Sequence, residues 1–270
     1  MVRRLDLLPA RTLRSLYERR MRKWLRNEGC ELSKLQVKIV PTNIRSTDAW
    51  LSFGLAFVGG YGDAASFVLA RTFTGHVTGN MVLGAIAIVT RDWRLALAHF
   101  SAIATFLIGV LLSTLIVRPL KAWSSWPLLP TIMGIEVILI VGASVAVAAT
   151  VNHGIAIFVI LVSLALGMQN GAFRSAGGIG VHTTYLTGMI TSLISSEADK
   201  FAPAVVASPA LIPAPKIGLL CGIWIAFVLG AGTGAATVLR FKALGMLGAA
   251  LLLITLILQN SQSSAMAKTS

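Results

Sequence analysis

Charge is scarce in this chain. Asp, Glu, Lys and Arg make up 12% of its 270 residues while 56% are hydrophobic, and a typical globular domain carries about 25% charge. Mean hydropathy is +0.80. So little polar surface excludes an ordinary water-soluble fold, and so much apolar content excludes a disordered one. Cysteine is reduced to Cys30 and Cys221, which leaves no disulfide framework and no redox pair. With 25 glycines, the chain is not collagen-like either. The four histidines, His76, His99, His153 and His182, are scattered, and none joins a Cys or an acid at metal-ligand spacing. A Gly-Xaa-Ser-Xaa-Gly elbow, a His-Glu-Xaa-Xaa-His pair and a Walker-type loop are all missing. The expectation is a protein that is not an enzyme, with no metal and no cofactor. A membrane-embedded enzyme would need those distant histidines to converge.

What the chain does have is long apolar runs. A spanning helix needs about 20 mostly apolar residues. Ala49–Ala70, Leu97–Val117, Leu128–Val151, Gly154–Phe173 and Ile217–Leu239 meet that length, and the shorter Ala243–Leu258 carries no charge. Two segments, Val77–Thr90 and Leu186–Ser195, are shorter still, and polar residues and glycine open each of them. Backbone polar groups in lipid must be satisfied internally, so the full segments are predicted to be helices. The predicted fold is an all-α polytopic bundle with six firm spans, the two short segments either crossing or dipping.

Before residue 48 the character changes. That stretch holds 12 of the 23 Lys and Arg residues, and the basic side chains surround Leu13, Leu16, Tyr17, Met21, Trp24 and Leu25 at roughly helical spacing. Residues 1–47 therefore read as a cytoplasmic basic leader, in part an amphipathic helix lying on anionic lipid headgroups. A solvated charged tail is the plainer alternative. Nucleic-acid binding is not implied, because the positive-inside rule accounts for the charge and places the N-terminus in the cytoplasm. No cleavable signal peptide is visible. The integral domain is 48–260, and 261–270 is a polar tail. If all eight segments span, Arg118, Lys121, Arg240 and Lys242 lie outside and Arg91 and Arg94 inside; if the short ones dip, Arg118 and Lys121 come inside and Arg91 and Arg94 move outside.

Small residues recur every four positions in three spans: Gly218, Gly222, Ala226, Gly230 and Gly234; Ser101, Thr105, Gly109 and Ser113; Ser52, Ala56, Gly60 and Ala64. Each stripe occupies one helix face and suits close packing in lipid. We read them as seams within one bundle, although such faces also join separate chains, so a homo-oligomer stays open. Cys221, on the glycine-rich segment, is expected to be a small packing residue.

The chain also repeats itself. Phe73-Thr74-Gly75-His76-Val77-Thr78-Gly79-Asn80 is followed 109 residues later by His182-Thr183-Thr184-Tyr185-Leu186-Thr187-Gly188-Met189, with Thr74/Thr183, Thr78/Thr187 and Gly79/Gly188 matching. Upstream, Gly60-Tyr61-Gly62-Asp63-Ala64-Ala65 faces Gly167-Met168-Gln169-Asn170-Gly171-Ala172 at an offset of 107. Two related halves, about 49–151 and 154–259, are implied. Matched, glycine-interrupted segments point to a transporter site. A Thr-Gly start cannot belong to one unbroken long helix, and half-helix N-termini at depth turn free N–H groups toward an anionic moiety. Thr78 and Thr187 are expected as N-caps.

Two acids fall within apolar segments. A charge at mid-bilayer costs about 2.5–3.5 kcal/mol or more, so Asp63 is expected to face a polar cavity or a partner, with Arg71 and Arg174 as candidate counter-charges. Its counterpart is Asn170, beside Gln169; His76 shares a face with Asn80. Glu136 is either a proton-carrying group or a neutraliser of a neighbouring polar side chain, and the lack of an equivalent acid in the other half favours a structural part. His99 and His153 lie near segment ends and read as interfacial. The candidate solute-binding set is Asp63, His76, Thr78, Gly79, Asn80, Gln169, Asn170, Arg174, Thr187 and Gly188.

The motifs Gly60-Tyr61-Gly62-Asp63-Ala64, His76-Val77-Thr78-Gly79-Asn80, Gly167-Met168-Gln169-Asn170-Gly171-Ala172 and Thr184-Tyr185-Leu186-Thr187-Gly188 resemble those of the YoaK-like family, uncharacterised bacterial multi-pass membrane proteins. The resemblance covers roughly 48–260 and implies an inner-membrane location and a polytopic helical fold, but no substrate. The leading functional expectation is a small-solute or ion transporter or channel with a polar site between the halves. The rival is a non-transporting membrane organiser or assembly partner docked through the basic leader.

Overall fold

In the computed structural model the described residues are 46–123, 128–149, 153–173, 175–176, 179–180, 190–191, 194 and 214–269. Nearly all of them are helical: α1 (Ser46–Ala70), α2 (Val77–Val89), α3 (Trp93–Trp123), α4 (Leu128–Ala149), α5 (Gly154–Ala172), α6 (Ala214–Phe241), a 3-10 turn (Lys242–Met246) and α7 (Leu247–Thr269). Besides short connections, the remainder is a two-residue antiparallel bridge after α5, pairing Ser175 with Gly180 and Ala176 with Ile179. The predicted all-α class holds. The leader before residue 46 lies outside the described residues. At the other end, α7 continues to Thr269, so the stretch read as a polar tail extends the last helix.

Apolar stretches long enough to cross a bilayer are Ala49–Ala70, Trp93–Ile116, Leu129–Ala149, Gly154–Ala172 and Ile217–Gln262. The last contains α6, the turn and α7. Its turn begins with Lys242 at φ 53°, a left-handed conformation that breaks helical continuity. Large apolar side chains such as Leu111, Leu115, Ile138, Val145, Leu229, Leu251 and Leu258 stay exposed; they give the bundle its lipid-facing surface.

Glycine contacts fix the helix directions. Gly222 lies against the Phe53 ring, Gly230 against the Phe57 backbone and Gly234 against the Tyr61 backbone. Residue numbers rise together, so α1 and α6 run parallel. Gly167 lies on Phe106, while Gly171 meets Val110 and Ser113, so α3 and α5 are parallel too. Between α1 and α5 the order inverts: the Gln169 Nε2 donates to the Leu55 carbonyl at 3.0 Å, whereas Gly62 meets Leu166 and Val162. These two helices are antiparallel. α7 is antiparallel to α1, since Gly54 touches Leu256 and Gly248 touches the Tyr61 hydroxyl. The chain therefore reverses at the 3-10 turn, which divides the last apolar stretch between two helices, so six described helices, α1 and α3 to α7, have the length to cross a bilayer.

α2 is not one of them. Thirteen residues span about 20 Å, short of the roughly 30 Å hydrocarbon core. It forms a hairpin with α3, Gly84 lying against His99 and Phe100. Arg91 at φ 63° turns the corner, and the Asp92 carboxylate accepts the Leu95 N–H at 3.0 Å, capping α3. That cap starts α3 at Trp93, four residues before the expected Leu97. At that length the first short segment suits the dipping arrangement. It puts Arg91 and Arg94 at the opposite end of the bundle from Arg118 and Lys121. The second short segment falls mainly outside the described residues.

The small-residue stripes work as intramolecular seams, with two departures. A Cβ at Gly60 would run into the Phe227 carbonyl and one at Gly167 into the Phe106 carbonyl, but Gly218 has open space around it. Cys221 is exposed rather than packed. Replacing Gly60 or Gly167 by Val should cost at least about 2 kcal/mol, because a backbone oxygen cannot move aside as a side chain does. Gly218→Ala and Gly232→Ala, where nothing lies within 4 Å, should stay within about 1 kcal/mol of wild type. Thermal unfolding of protein in lipid nanodiscs reads both.

Candidate functional site

The polar cluster grows out of the way α1 ends. Arg71 takes a left-handed φ of 57° while its N–H still closes the helix on the Phe67 carbonyl at 2.9 Å. The next residues then double back. Phe73 stacks on Phe67 with ring centroids 4.6 Å apart, and Asp63 Oδ1 accepts the N–H groups of Thr74 at 3.0 Å and Gly75 at 2.6 Å. Asp63 precedes the end of α1 by seven residues, so the connection returns about 10 Å down the helix. Ser66 donates to the Gly62 carbonyl at 2.7 Å and sits 3.2 Å from the Thr74 hydroxyl. Helix α2 thus starts beside the body of α1 rather than beyond its end.

Asn80 holds the other side of this connection. Its Nδ2 donates to the Phe73 carbonyl at 2.7 Å, and its Oδ1 accepts the Phe73 N–H at 3.0 Å. That pairing fixes which amide atom is oxygen. His99, on α3, places Nδ1 3.1 Å from the same Oδ1; since that oxygen only accepts, the ring proton is on Nδ1. Asp63, Asn80, His99 and Thr74 are all buried. One carboxylate and one amide together satisfy three backbone N–H groups and a carbonyl, which a reversal in lipid requires.

Of the expected residues, Asp63, His76, Gly79 and Asn80 come together here. His76 is the N-cap of α2 but makes no side-chain capping bond. Its ring lies 5.5 Å from Phe73, and Gly79 is small because both rings crowd it. Thr78 does not cap the helix as expected: it is the second helical residue, and it is exposed. Asp63 takes backbone N–H groups rather than the guanidinium of Arg71, which is exposed. Gln169 and Asn170 are buried near the end of α5. Gln169 meets α1 at Leu55, about 12 Å along the helix from Asp63. Two polar layers result, one on either side of the α1–α5 crossing. Arg174, Thr187 and Gly188 lie outside the described residues.

His99 was misplaced by sequence reasoning. It is buried at the heart of the cluster, not interfacial. The available signal was Asp92, an N-cap residue three positions before Leu95; a helix started there carries His99 inward by a turn. His153 is exposed at the start of α5. Among the described residues no three His, Cys, Asp or Glu side chains are grouped to hold a metal ion.

Asp63→Ala would strand two buried N–H groups, at about 1–3 kcal/mol each. We expect it to lose several kcal/mol, Asp63→Asn much less because one acceptor oxygen remains, and Thr78→Ala no more than about 0.5 kcal/mol. Thermal unfolding of the three variants in the same lipid gives the ranking.

Comparison with known proteins agrees with this architecture. UPF0700 transmembrane protein YoaK of Bacillus subtilis (strain 168) is 30% identical over 146 residues, 53% of this chain and 62% of the relative. The matched part thus spans under two thirds of that relative. No solved structure matches. Residues 51–258, from α1 into α7, match the family described as "Protein of unknown function (DUF1275)", so the chain belongs to that family.

Proposed function

We propose that this protein is a small-solute or ion transporter of the bacterial inner membrane, built from two related halves of opposite orientation with a polar site between them. One observation carries the reading. Gly60 sits on the Phe227 carbonyl and Gly167 on the Phe106 carbonyl; Gly230 sits on that of Phe57 and Gly109 on that of Leu164. Every α1 position in these contacts maps to α5 by adding 107, and every α3 position maps to α6 by adding 121. The same seam is thus made twice, between helices exchanged across the halves. α1 and α5 are related by the sequence repeat and run antiparallel, which favours inverted halves over parallel ones.

Inverted halves suit alternating access, in which one half rocks against the other around a fixed central site. The layer of Asp63, His76 and Asn80 then guards the route from one face of the membrane, and that of Gln169 and Asn170 the route from the other. The uncapped start of α2 supplies the positive end of a helix at membrane depth, favouring an anionic solute or moiety. The basic leader keeps the N-terminus cytoplasmic against anionic headgroups.

Water access to the half-helix start tests the reading. In a background without Cys30 and Cys221, Thr78→Cys and Asn170→Cys are probed with a membrane-impermeant maleimide in vesicles of each orientation. We expect each thiol to react from one face, and the two from opposite faces. Reaction of one position from both faces would indicate an open channel. If neither reacts, no water reaches the site and transport through it is ruled out.

A further inference from the structure

Glu136 makes no hydrogen bond to either polar layer. It is wholly inaccessible on α4, between the buried Ile132, Met133 and Ile140, and neither carboxyl oxygen has a hydrogen-bond partner in the structure. Its depth follows from the α4–α5 hairpin. Gly142 meets Leu161, so six residues earlier in antiparallel helices Glu136 is level with about residue 167. That is the height of the Gly167–Phe106 crossing, between the two polar layers. α4 packs mainly on α5, with further contacts to α7, the 3-10 turn and, more lightly, α3.

Those neighbours bring no counter-charge. α5 has no Asp, Glu, Lys, Arg or His, and α7 has none before Lys268 near its end. The 3-10 turn carries Lys242, which is exposed. On α3, Arg94 is exposed, His99 is committed to Asn80, and Arg118 and Lys121 belong to the far end of the helix. α4 itself has no other titratable residue. An ionised carboxylate with neither donor nor cation is untenable in such a place, so in this conformation the group holds its proton.

We propose that Glu136 is a membrane-embedded proton-binding site, which keeps its proton while α4 is sealed against its neighbours and exchanges it when movement of the halves lets water in. Resting on the transport reading above, this names the proton as the coupling ion. It also reverses the sequence-based preference for a structural part: a neutraliser needs a polar neighbour, and neither Glu136 oxygen has one.

The test is reaction of the full-length protein in lipid vesicles with dicyclohexylcarbodiimide, an apolar reagent selective for neutral carboxylic acids in apolar surroundings. The acid adds across one C=N bond: its oxygen bonds to the central carbon, its proton goes to nitrogen, and an acyl shift gives a stable N-acylurea with no atom lost. We expect mass spectrometry to find the adduct on the Glu136 peptide at acidic pH and to lose it in Glu136→Gln. Labelling should fall about tenfold per pH unit once the site titrates. Absence of the adduct from wild type at every pH, or labelling that does not change with pH, overturns the proposal; the latter marks a sealed, purely structural acid. Wild type alone decides this, whether or not the variant folds. The maleimide experiment fails separately, so a pH-responsive Glu136 in a protein whose Thr78 and Asn170 positions never meet water would remove transport and leave the proton site.

Discussion

Everything in this bundle depends on backbone meeting backbone where glycine replaces a side chain. Lipid tails are as apolar as leucine, so burial of apolar surface gives helices no reason to prefer one another over the bilayer. What remains is dispersion at short range, which needs close approach. Gly60, Gly230, Gly109 and Gly167 provide it by letting α1 settle on α6 and α3 on α5 down to the carbonyl oxygens. Once those seams are set, the antiparallel neighbours follow from the chain reversals: α4 beside α5, and α7 beside α1.

The sequence disclosed the seams but not their partners. Four-residue stripes say that a helix face is small; they do not say against what, and only coordinates pair Gly60 with Phe227. The passes were legible because an apolar run of about 20 residues has few alternatives in lipid. Their ends were less so. α3 begins four residues early because a side-chain cap at Asp92, not hydropathy, decides where a helix starts.

At the polar cluster, residue types were easier to read than roles. Asp63 stood out as an acid in an apolar stretch, and it is buried, but its donors are the N–H groups of Thr74 and Gly75. No pattern search lists backbone donors, so a side-chain counter-ion was the natural guess. Asn80 likewise serves the Phe73 backbone. For Glu136 the lack of a twin acid in the other half favoured a structural part, and only coordinates show that neither of its oxygens has a hydrogen-bond partner.

The hydroxyl of Tyr61 gives to the Gly245 carbonyl and lies 2.5 Å from Thr237 Oγ1, tying α1 to the corner between α6 and α7. The elbow between α6 and α7 is therefore latched to α1. Any rocking of α1 would carry the α6–α7 corner with it as a single lever.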